Sequence, residues 1–571
     1  MQLRATGRRV LLVGVLGAAL LAGAVGPARG GEAVVLGCAS AADLKGLFGK
    51  LGKLAEKFVP GTGPQALGLG AMLTQAPEWA GVDWSKPATI VLFGGKAFGK
   101  AEPVPVVVVT LADAALFRQA HPEGAPVAFE VRGDLAVVSP ERAALAAMTP
   151  QRLEIYGTLP KIAGTADVYA TVYAAQAVAE YQGEIDAALK EIEQQAGQMM
   201  MPGPMANIGK IFKCLGPLVN LAGKQVRRAS LTVELKDDSV ELWGRLYAGD
   251  DTELGTFFSG QPGELTDLVK YLPAEAAMAM AAKLDLAKGK PLFEAILKAI
   301  ATPLDLTTED QVTLRELVFG STQTGEFAVA LAGGAAHPGI QSAQVVRIAD
   351  AEKFRTASKN GTEWFTRSGL GALMEAAGVK MSIEYKPGVR EYKGAPVDRI
   401  TVTMAQAPDA PPNPMMGQQQ PQVTEFAAIG TLGAAVGGNP GGELLNGILD
   451  RIKGEGAPGL DTAAAWKAAV AAAPNGSSVV VSFSFNNLLA KAIEEAAKQQ
   501  PAIALMAGAI IKADPTEEPI TTYAGFGANM VEFRTRVPHQ PILSLVTRVR
   551  MLIEQQPGRK PGPKPKEEDD F

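Results

Sequence analysis

Short apolar runs with a two-residue period alternate along the chain with stretches of helical spacing, and Pro, Gly and charged turns separate them. In the N-terminal part this pattern predicts five units: a strand and a helix, two hairpins each followed by a helix, another strand and helix, and a last hairpin and helix. These units cover residues 33–58, 88–120, 127–148, 167–199 and 228–259. The same order of units is predicted again over residues 276–300, 326–365, 424–453, 477–499 and 520–555.

Two segments, one from each series, also share their residues. Val106–Ala120 reads VVVVTLADAALFRQA and Ala343–Ala357 reads AQVVRIADAEKFRTA, with identical residues at eight of fifteen positions. Each runs from a β-branched strand through Ala-Asp-Ala into a helix. Asp43 and Asp285 likewise each follow an apolar strand and open an amphipathic helix. Two matching elements in the same order indicate an internal duplication.

These patterns predict an α+β protein with two homologous halves, each a mixed, largely antiparallel sheet with helices packed on one face. The first half spans residues 31–262 and the second spans 263–556. The second half carries an inserted hairpin and a Pro/Gln/Met-rich linker at about 380–422. Residues 557–571 are expected to form a disordered tail, because basic and acidic blocks with four prolines cannot build a core.

The first 30 residues predict export. Three arginines precede an apolar run from Val10 to Val25, and small residues follow, as in a secretory signal peptide. The run is short for a bilayer span, and no later run approaches that length, so no stable membrane span is expected after cleavage. The predicted location is periplasmic or extracellular. Arg8 and Arg9 leave both the general and the twin-arginine export routes open.

The charge of the chain and the distribution of its basic residues exclude one class of partner. The chain has a formal net charge of −5, and removal of the signal peptide makes it more acidic. Basic clusters interleaved with aromatic residues, which nucleic-acid binding requires, do not occur in the sequence. Nucleic acid is therefore excluded as a partner.

The two cysteines, Cys38 and Cys214, allow one disulfide bridge and leave no thiol over. Such a bridge is compatible with an oxidising compartment. Two separately buried thiols are the alternative, and the sequence leaves both open.

Candidate chemistry is sparse, and no catalytic, cofactor-binding or metal-binding residues are predicted. Gly94–Lys100 has the spacing of a phosphate loop, but Ala101 stands where a hydroxyl is needed and a strand follows, so a hairpin turn is expected. The histidines His121, His337 and His539 occupy turn-like positions far apart and are expected to be exposed. They do not have the spacing of metal ligands.

Asp113 and Asp350 are the acids most worth examining for catalysis. Each stands where a strand passes into a helix, and an Asp side chain at that position accepts the first helical N–H groups. The sequence therefore predicts that both are structural N-caps.

The chain resembles a group of exported bacterial proteins of unknown function built from repeated strand and helix units. The residues that carry the resemblance are Leu272–Glu275 before a strand, the strand-Asp-helix unit at Asp113 and Asp350, and Phe483–Asn486 between a strand and a helix. The resemblance implies fold and location only.

The resulting hypothesis is an exported, non-enzymatic scaffold or binding protein of the bacterial envelope or extracellular space. Its expected partner is an unknown envelope protein or a hydrophobic ligand, and no cofactor is expected. The alternatives are a carrier of a lipid or other hydrophobic ligand and a hydrolase whose catalytic residues are scattered along the chain.

Overall fold

The computed structural model describes residues 33–122, 127–157, 166–198, 208–320, 325–332, 341–367, 379–406, 421–438, 442–490 and 517–555. The strands in this part of the chain are β1 Val35–Ala41, β2 Ala88–Phe93, β3 Val104–Thr110, β4 Ala128–Arg132, β5 Leu135–Ser139, β6 Val168–Val172, β7 Val226–Leu235, β8 Ser239–Ala248, β9 Ala276–Lys283, β10 Glu326–Ala332, β11 Gln341–Arg347, β12 Val379–Tyr392, β13 Ala395–Gln406, β14 Gln422–Ile429, β15 Leu432–Gly438, β16 Ser477–Phe483, β17 Ile520–Gly527 and β18 Met530–Pro538. The helices are α1 Leu44–Phe58, α2 Gly63–Thr74, α3 Ala114–Ala120, α4 Arg142–Ala147, α5 Pro150–Gly157, α6 Ala174–Gln198, α7 Ile208–Gln225, α8 Glu253–Ser259, α9 Leu286–Ala301, α10 Thr308–Arg315, α11 Ala351–Arg367, α12 Glu443–Lys453, α13 Ala464–Ala471 and α14 His539–Gln555. The predicted signal peptide, residues 407–420 of the predicted linker and the predicted tail lie outside the described residues.

All of these strands hydrogen-bond side by side in a single antiparallel sheet of 18 strands. The pairings give the order β4-β5-β3-β2-β1-β6-β7-β8-β18-β17-β16-β9-β10-β11-β15-β14-β13-β12. The predicted α+β class is confirmed, and so is the antiparallel character. The expectation of a separate sheet in each half is wrong, because β8 and β18 pair and join the two runs of strands.

The strand order is the same on both sides of this junction. From the outside inwards, the N-terminal strands run β4-β5-β3-β2-β1-β6-β7-β8, and the C-terminal strands run β14-β15-β11-β10-β9-β16-β17-β18. The inserted hairpin β12–β13 extends the sheet beyond β14, where the N-terminal run ends at β4.

Helices cover both faces of the sheet, which corrects the expectation of one covered face. Strand β3 shows why, since its sequence VPVVVVT is apolar on both sides and successive residues point to opposite faces. Phe117 of α3 packs against Val109 on one face. Leu145 of α4 packs against Val106 on the other. We call the side that carries Val106 and Ala343 face A, and the side that carries Val109 and Val346 face B.

The C-terminal strands are covered in the same way. On face B, Phe354 of α11 meets Phe426 of β14 edge to face, with ring centroids 5.8 Å apart. On face A, α12 and α13 contribute Leu445 and Trp466 to the core cluster that contains Ala343. Helices therefore cover both faces of the sheet in the C-terminal strands as they do in the N-terminal strands.

The last helix of each series packs on the first helix of the other. Helix α8 contacts α9, where the ring of Phe257 lies beside Gly289. Helix α14 contacts α1, where His539 meets Phe58 edge to face with ring centroids 5.6 Å apart. The two series are thus tied together by a reciprocal pair of helix contacts in addition to the shared sheet.

The inserted hairpin is fastened by charged groups on each side of the sheet. Asp398 of β13 is buried and accepts two hydrogen bonds from Arg355 of α11, at 2.7 and 2.8 Å. Glu425 of β14 is also buried and accepts from Arg390 and Arg399 of the hairpin. Because each carboxylate is paired where it is buried, removing one partner would leave an uncompensated charge.

Candidate functional site

The junction of the two series has a register that reads the same from either strand. Arg245 of β8 lies opposite Glu532 of β18, and Glu241 lies opposite Arg536. Both strands carry Val-Glu followed by Arg four residues after the Glu. The junction therefore has a local two-fold arrangement, centred on the pair formed by Trp243 and its opposite residue in β18.

Face A carries polar and charged side chains at this junction, and face B is covered at one end only, since Leu231 and Phe533 in the middle of face B are each 43% exposed. Phe258 of α8 packs against Ala248 and Val531 on face B. On face A the side chains of Arg245 and Arg534 keep 48% and 34% of their surface exposed. We call the face A residues Thr232, Trp243, Arg245, Glu532 and Arg534 the junction surface.

The acid at the edge of the junction surface is held ionised. Glu241 is buried and accepts from Lys236 at 2.8 Å and from Arg534 at 3.0 Å. Burial alone would raise the pKa of Glu241, but these two hydrogen bonds outweigh it and lower the pKa below its usual value. A carboxylate with a lowered pKa and both cations in place is suited to positioning the arginine, not to proton transfer.

Cations lie over aromatic rings on face A, in the junction surface and beside it. The guanidinium of Arg534 lies 5.5 Å from the centre of the Trp243 ring, and that of Arg228 lies 3.9 Å from the centre of the Tyr247 ring. Arg245 pairs with Glu532 across the two strands. Such a surface can donate hydrogen bonds and stack on planar groups, which is the chemistry of recognising a polar segment of a partner.

The two aspartates singled out by the sequence lie where helices begin. The carboxylate of Asp113 accepts the N–H groups of Ala115 and Leu116, each at 2.9 Å. The carboxylate of Asp350 accepts the N–H of Lys353 at 2.9 Å. The structure does not bring the two together, since they open α3 and α11 at opposite ends of the sheet.

Cys38 and Cys214 are free and buried in the structure, which is the arrangement of the second alternative, two separately buried thiols. Cys38 lies in β1 between β2 and β6, while Cys214 lies in α7. Burial raises the pKa of the Cys38 thiol to about 12 and also raises that of Cys214. Thiols protonated in this way are poor nucleophiles.

The expectation that the histidines are exposed is wrong for the two that the structure describes, and His337 lies outside the described residues. His121 is buried between the rings of Phe117 and Phe129, with Nδ1 3.0 Å from the carbonyl oxygen of Phe117. His539 is buried at the α1–α14 contact. Aromatic neighbours distant in sequence bury both rings, and turn-like flanking residues gave no sign of that.

The other sequence features considered as sites have a structural role or form no site among the described residues. Gly95–Phe98 forms a short 3-10 turn between β2 and β3, in keeping with a hairpin connection. Within the described ranges, His, Cys, Asp and Glu side chains do not gather in threes in a way that could hold a metal ion. No helix in the same part of the chain combines the length and apolar character needed to cross a bilayer.

Sequence reasoning missed the junction. The signal was present as Val240-Glu241 with Arg245 and Val531-Glu532 with Arg536, because a spacing of four places Glu and Arg on one face of a strand.

Comparison of the chain with protein-family models, with curated proteins and with solved structures finds no match in any of the three.

Proposed function

We propose that the chain is an exported, non-enzymatic scaffold or binding protein of the bacterial envelope or extracellular space. The observation that carries this proposal is the junction surface, an accessible, polar and aromatic stretch of face A at the centre of a continuous sheet. Interface cores favour Tyr, Trp and Arg, and Trp243, Arg245 and Arg534 supply those residue types here.

The same proposal includes duplication of an ancestral half. Its support is the repeated strand order, the matched caps Asp113 and Asp350, and the matched aromatic contact of Phe117 with Phe129 and of Phe354 with Phe426. The junction pairs strands that hold the same place in each series. An ancestral half that paired with a second copy through this edge would account for such a junction.

The partner proposed for the junction surface is a protein segment with polar and planar side chains. A photo-crosslinking amino acid at Arg245 should yield a discrete adduct in the exported fraction. The same amino acid at Lys359 of α11, whose side chain is 55% exposed and lies far from the junction, is the matched control. Equal adducts from both positions, or none from Arg245, would refute the binding role.

Export is tested separately by intact-mass analysis of the protein recovered from the periplasm or medium. A mass that begins near Gly31 supports signal cleavage. A mass that includes Met1, or a protein confined to the cytoplasm, contradicts it.

The alternatives predict different results on the same material. Lipid retained in native mass spectrometry would favour a carrier. Turnover of an esterase, peptidase or glycosidase substrate that one point mutation abolishes would favour a hydrolase. The scaffold proposal expects neither.

A further inference from the structure

The outer edge of β4 in the first series corresponds to an edge that another strand occupies in the second series. Arg132 at the end of β4 lies opposite Leu135 of β5. Ile429 at the end of β14 lies opposite Leu432 of β15, so the two hairpins turn at the same place. Strand β14 also pairs with β13 of the inserted hairpin. Among the described residues β4 pairs with β5 alone, and its other edge presents main-chain N–H and C=O groups.

The helices beside these two edges also correspond. Phe117 of α3 meets Phe129 of β4 edge to face, with ring centroids 5.5 Å apart. Phe354 of α11 meets Phe426 of β14 edge to face at 5.8 Å. Each strand phenylalanine stands three residues before the end of its strand. The two places are therefore equivalent in strand register and in the helix packed over it.

An arginine follows the phenylalanine in each of the two helices. Arg355 of α11 donates two hydrogen bonds to the carboxylate of Asp398 in β13, at 2.7 and 2.8 Å. Asp398 lies opposite Phe426, so the strand that pairs with β14 brings its carboxylate to this arginine on face B. The second series thus shows how a strand is held at this place, by main-chain pairing and by one bidentate ion pair.

Arg118 of α3 holds the place of Arg355 but is not paired. Its side chain is exposed and makes no hydrogen bond or ion pair with another residue of the described ranges. The acid of β4, Glu130, accepts from Arg132 at 2.7 Å and lies on the face opposite to Phe129. A free guanidinium therefore stands beside an open strand edge, on the face where the second series has its ion pair.

We infer that the edge of β4 binds an extended segment of a partner protein as an added antiparallel strand, with an Asp or Glu of that segment opposite Phe129 and paired with Arg118. Main-chain hydrogen bonds supply binding that depends little on sequence, and the arginine selects an acidic segment. Strand β4 is the outermost strand of the first series, whereas the junction surface lies on β7, β8 and β18. The inference therefore does not depend on the binding role proposed for the junction.

A synthetic peptide tests the inference, because β13 already provides a strand that fits the equivalent edge. A fluorescently labelled peptide with the sequence of residues 395–403, APVDRITVT, should bind the purified protein. The same peptide with Asp398→Asn should bind about tenfold more weakly, because the charged hydrogen bonds are lost. Fluorescence anisotropy measures both affinities. Equal affinities, or no binding of either peptide, would overturn the inference.

Variants of the protein assign the binding to Arg118. Arg118→Gln should lower the affinity for the Asp peptide about tenfold and should leave that for the Asn peptide nearly unchanged. Arg118→Glu should instead prefer a peptide with Asp398→Lys. The matched control is Arg142→Gln, an exposed arginine of α4 on the other face, which should bind the Asp peptide like the parent protein. An equal loss in Arg118→Gln and Arg142→Gln would indicate general charge attraction and contradict the inference.

Peptides with methylated main-chain nitrogens test the strand pairing. Alternate N–H groups of an antiparallel strand point to opposite sides, so only one alternate set would face β4. N-methylation of one set should abolish binding, and N-methylation of the other should leave it nearly unchanged. Equal effects of the two sets would show that the peptide is not held as a strand. A dimer of the protein that Arg118→Glu dissociates would assign the edge to a second copy and also contradict the inference.

Discussion

The first and second series of strands present side chains of different size to the helices on face A. In the first series Val91 lies opposite Val106, and in the second the corresponding pair is Ala330 opposite Ala343. All four are buried almost completely. The same backbone arrangement therefore leaves more room above the sheet in the second series.

The covering helices compensate for that difference. Helix α4 packs Ala144 and Leu145 against the valines, whereas α12 packs Leu445, Ile448 and Leu449 above the alanines. Protein interiors keep a constant packing density, so small strand residues require large helix residues and the reverse. The comparison shows how one strand order can be kept while the volume is divided differently between sheet and helix.

The largest expected effect concerns the matched phenylalanines on face B. Phe117→Ala should lower the free energy of unfolding by about 3 to 5 kcal/mol, because the ring is fully buried and its removal leaves a cavity. Phe354→Ala should cost less, since Phe354 is only partly buried. Denaturant unfolding of both variants measures the difference. An equal or larger loss for Phe354 would show that the two positions are not packed as described.

Giving a strand of each series the residue of the other on face A tests how volume is divided between strand and helix side chains. Ala343→Val should destabilise the protein by about 1 to 3 kcal/mol, because Ala343 is fully buried in the cluster that contains Leu445 and Ile448 and two more methyl groups would overpack it. Val106→Ala should cost about 2 kcal/mol through a cavity. Thermal unfolding of each variant provides the measurement, and a stabilising Ala343→Val would contradict the packing argument.

Replacing the caps should have a smaller and equal effect in the two series. Asp113→Ala and Asp350→Ala should each cost about 1 kcal/mol, because each removes the acceptor of the first N–H groups of a helix. Asp→Asn is the control and should retain most of the stability. Loss of partner binding with unchanged stability would instead point to a functional acid.

The smallest effect is pH-dependent and should appear in one of the two reciprocal helix contacts. Burial first, and nearby Lys57 second, lower the pKa of His539 below its ordinary value of 6.5. Because the native state then binds fewer protons than the unfolded state, the stability contributed by His539 is present above pH 6.5 and is lost as the pH falls below it. The charged groups near the ring also include Asp237 and Asp238.

Hydrogen exchange, corrected for the intrinsic effect of pH, should show α1 and α14 opening more readily at about pH 5 than at about pH 7. The α8–α9 contact contains no histidine and should not change. His539→Gln should abolish the difference. An equal response at both contacts would assign the effect to other groups.

Much of the local structure could be predicted from the sequence, and the particular failures have physical reasons. The unit from Val106 to Ala120 was predicted as a strand, a cap and a helix because the hydrophobic period and the N-cap residue depend only on neighbouring positions in the sequence. The sequence did not show that helices cover both faces of the sheet, because a continuous apolar run such as β3 is compatible with a strand buried on one face or on both. Pairing of β8 with β18 depends on two edges separated by almost 300 residues, and local pattern does not specify it.

In the candidate site too, features set by local sequence could be predicted and features set by contacts between distant residues could not. Asp113 and Asp350 could be singled out because an N-cap is a local device. The junction surface could not, since Arg245 and Arg534 become neighbours only when the two series share a sheet. The burial of His539 likewise depends on Phe58 from the other end of the chain.

An experimental structure of the chain from Gly31 onward is the most direct test of the central claim, that one strand order occurs twice and is joined through equivalent edges. The account predicts that β1–β8 superpose on β9–β11 with β14–β18 after a half turn, with Asp113 on Asp350 and Phe117 on Phe354. It also predicts that Arg245 lies opposite Glu532 across β8 and β18. Segments that fail to superpose, or a β8 edge that pairs with a different strand, would contradict it.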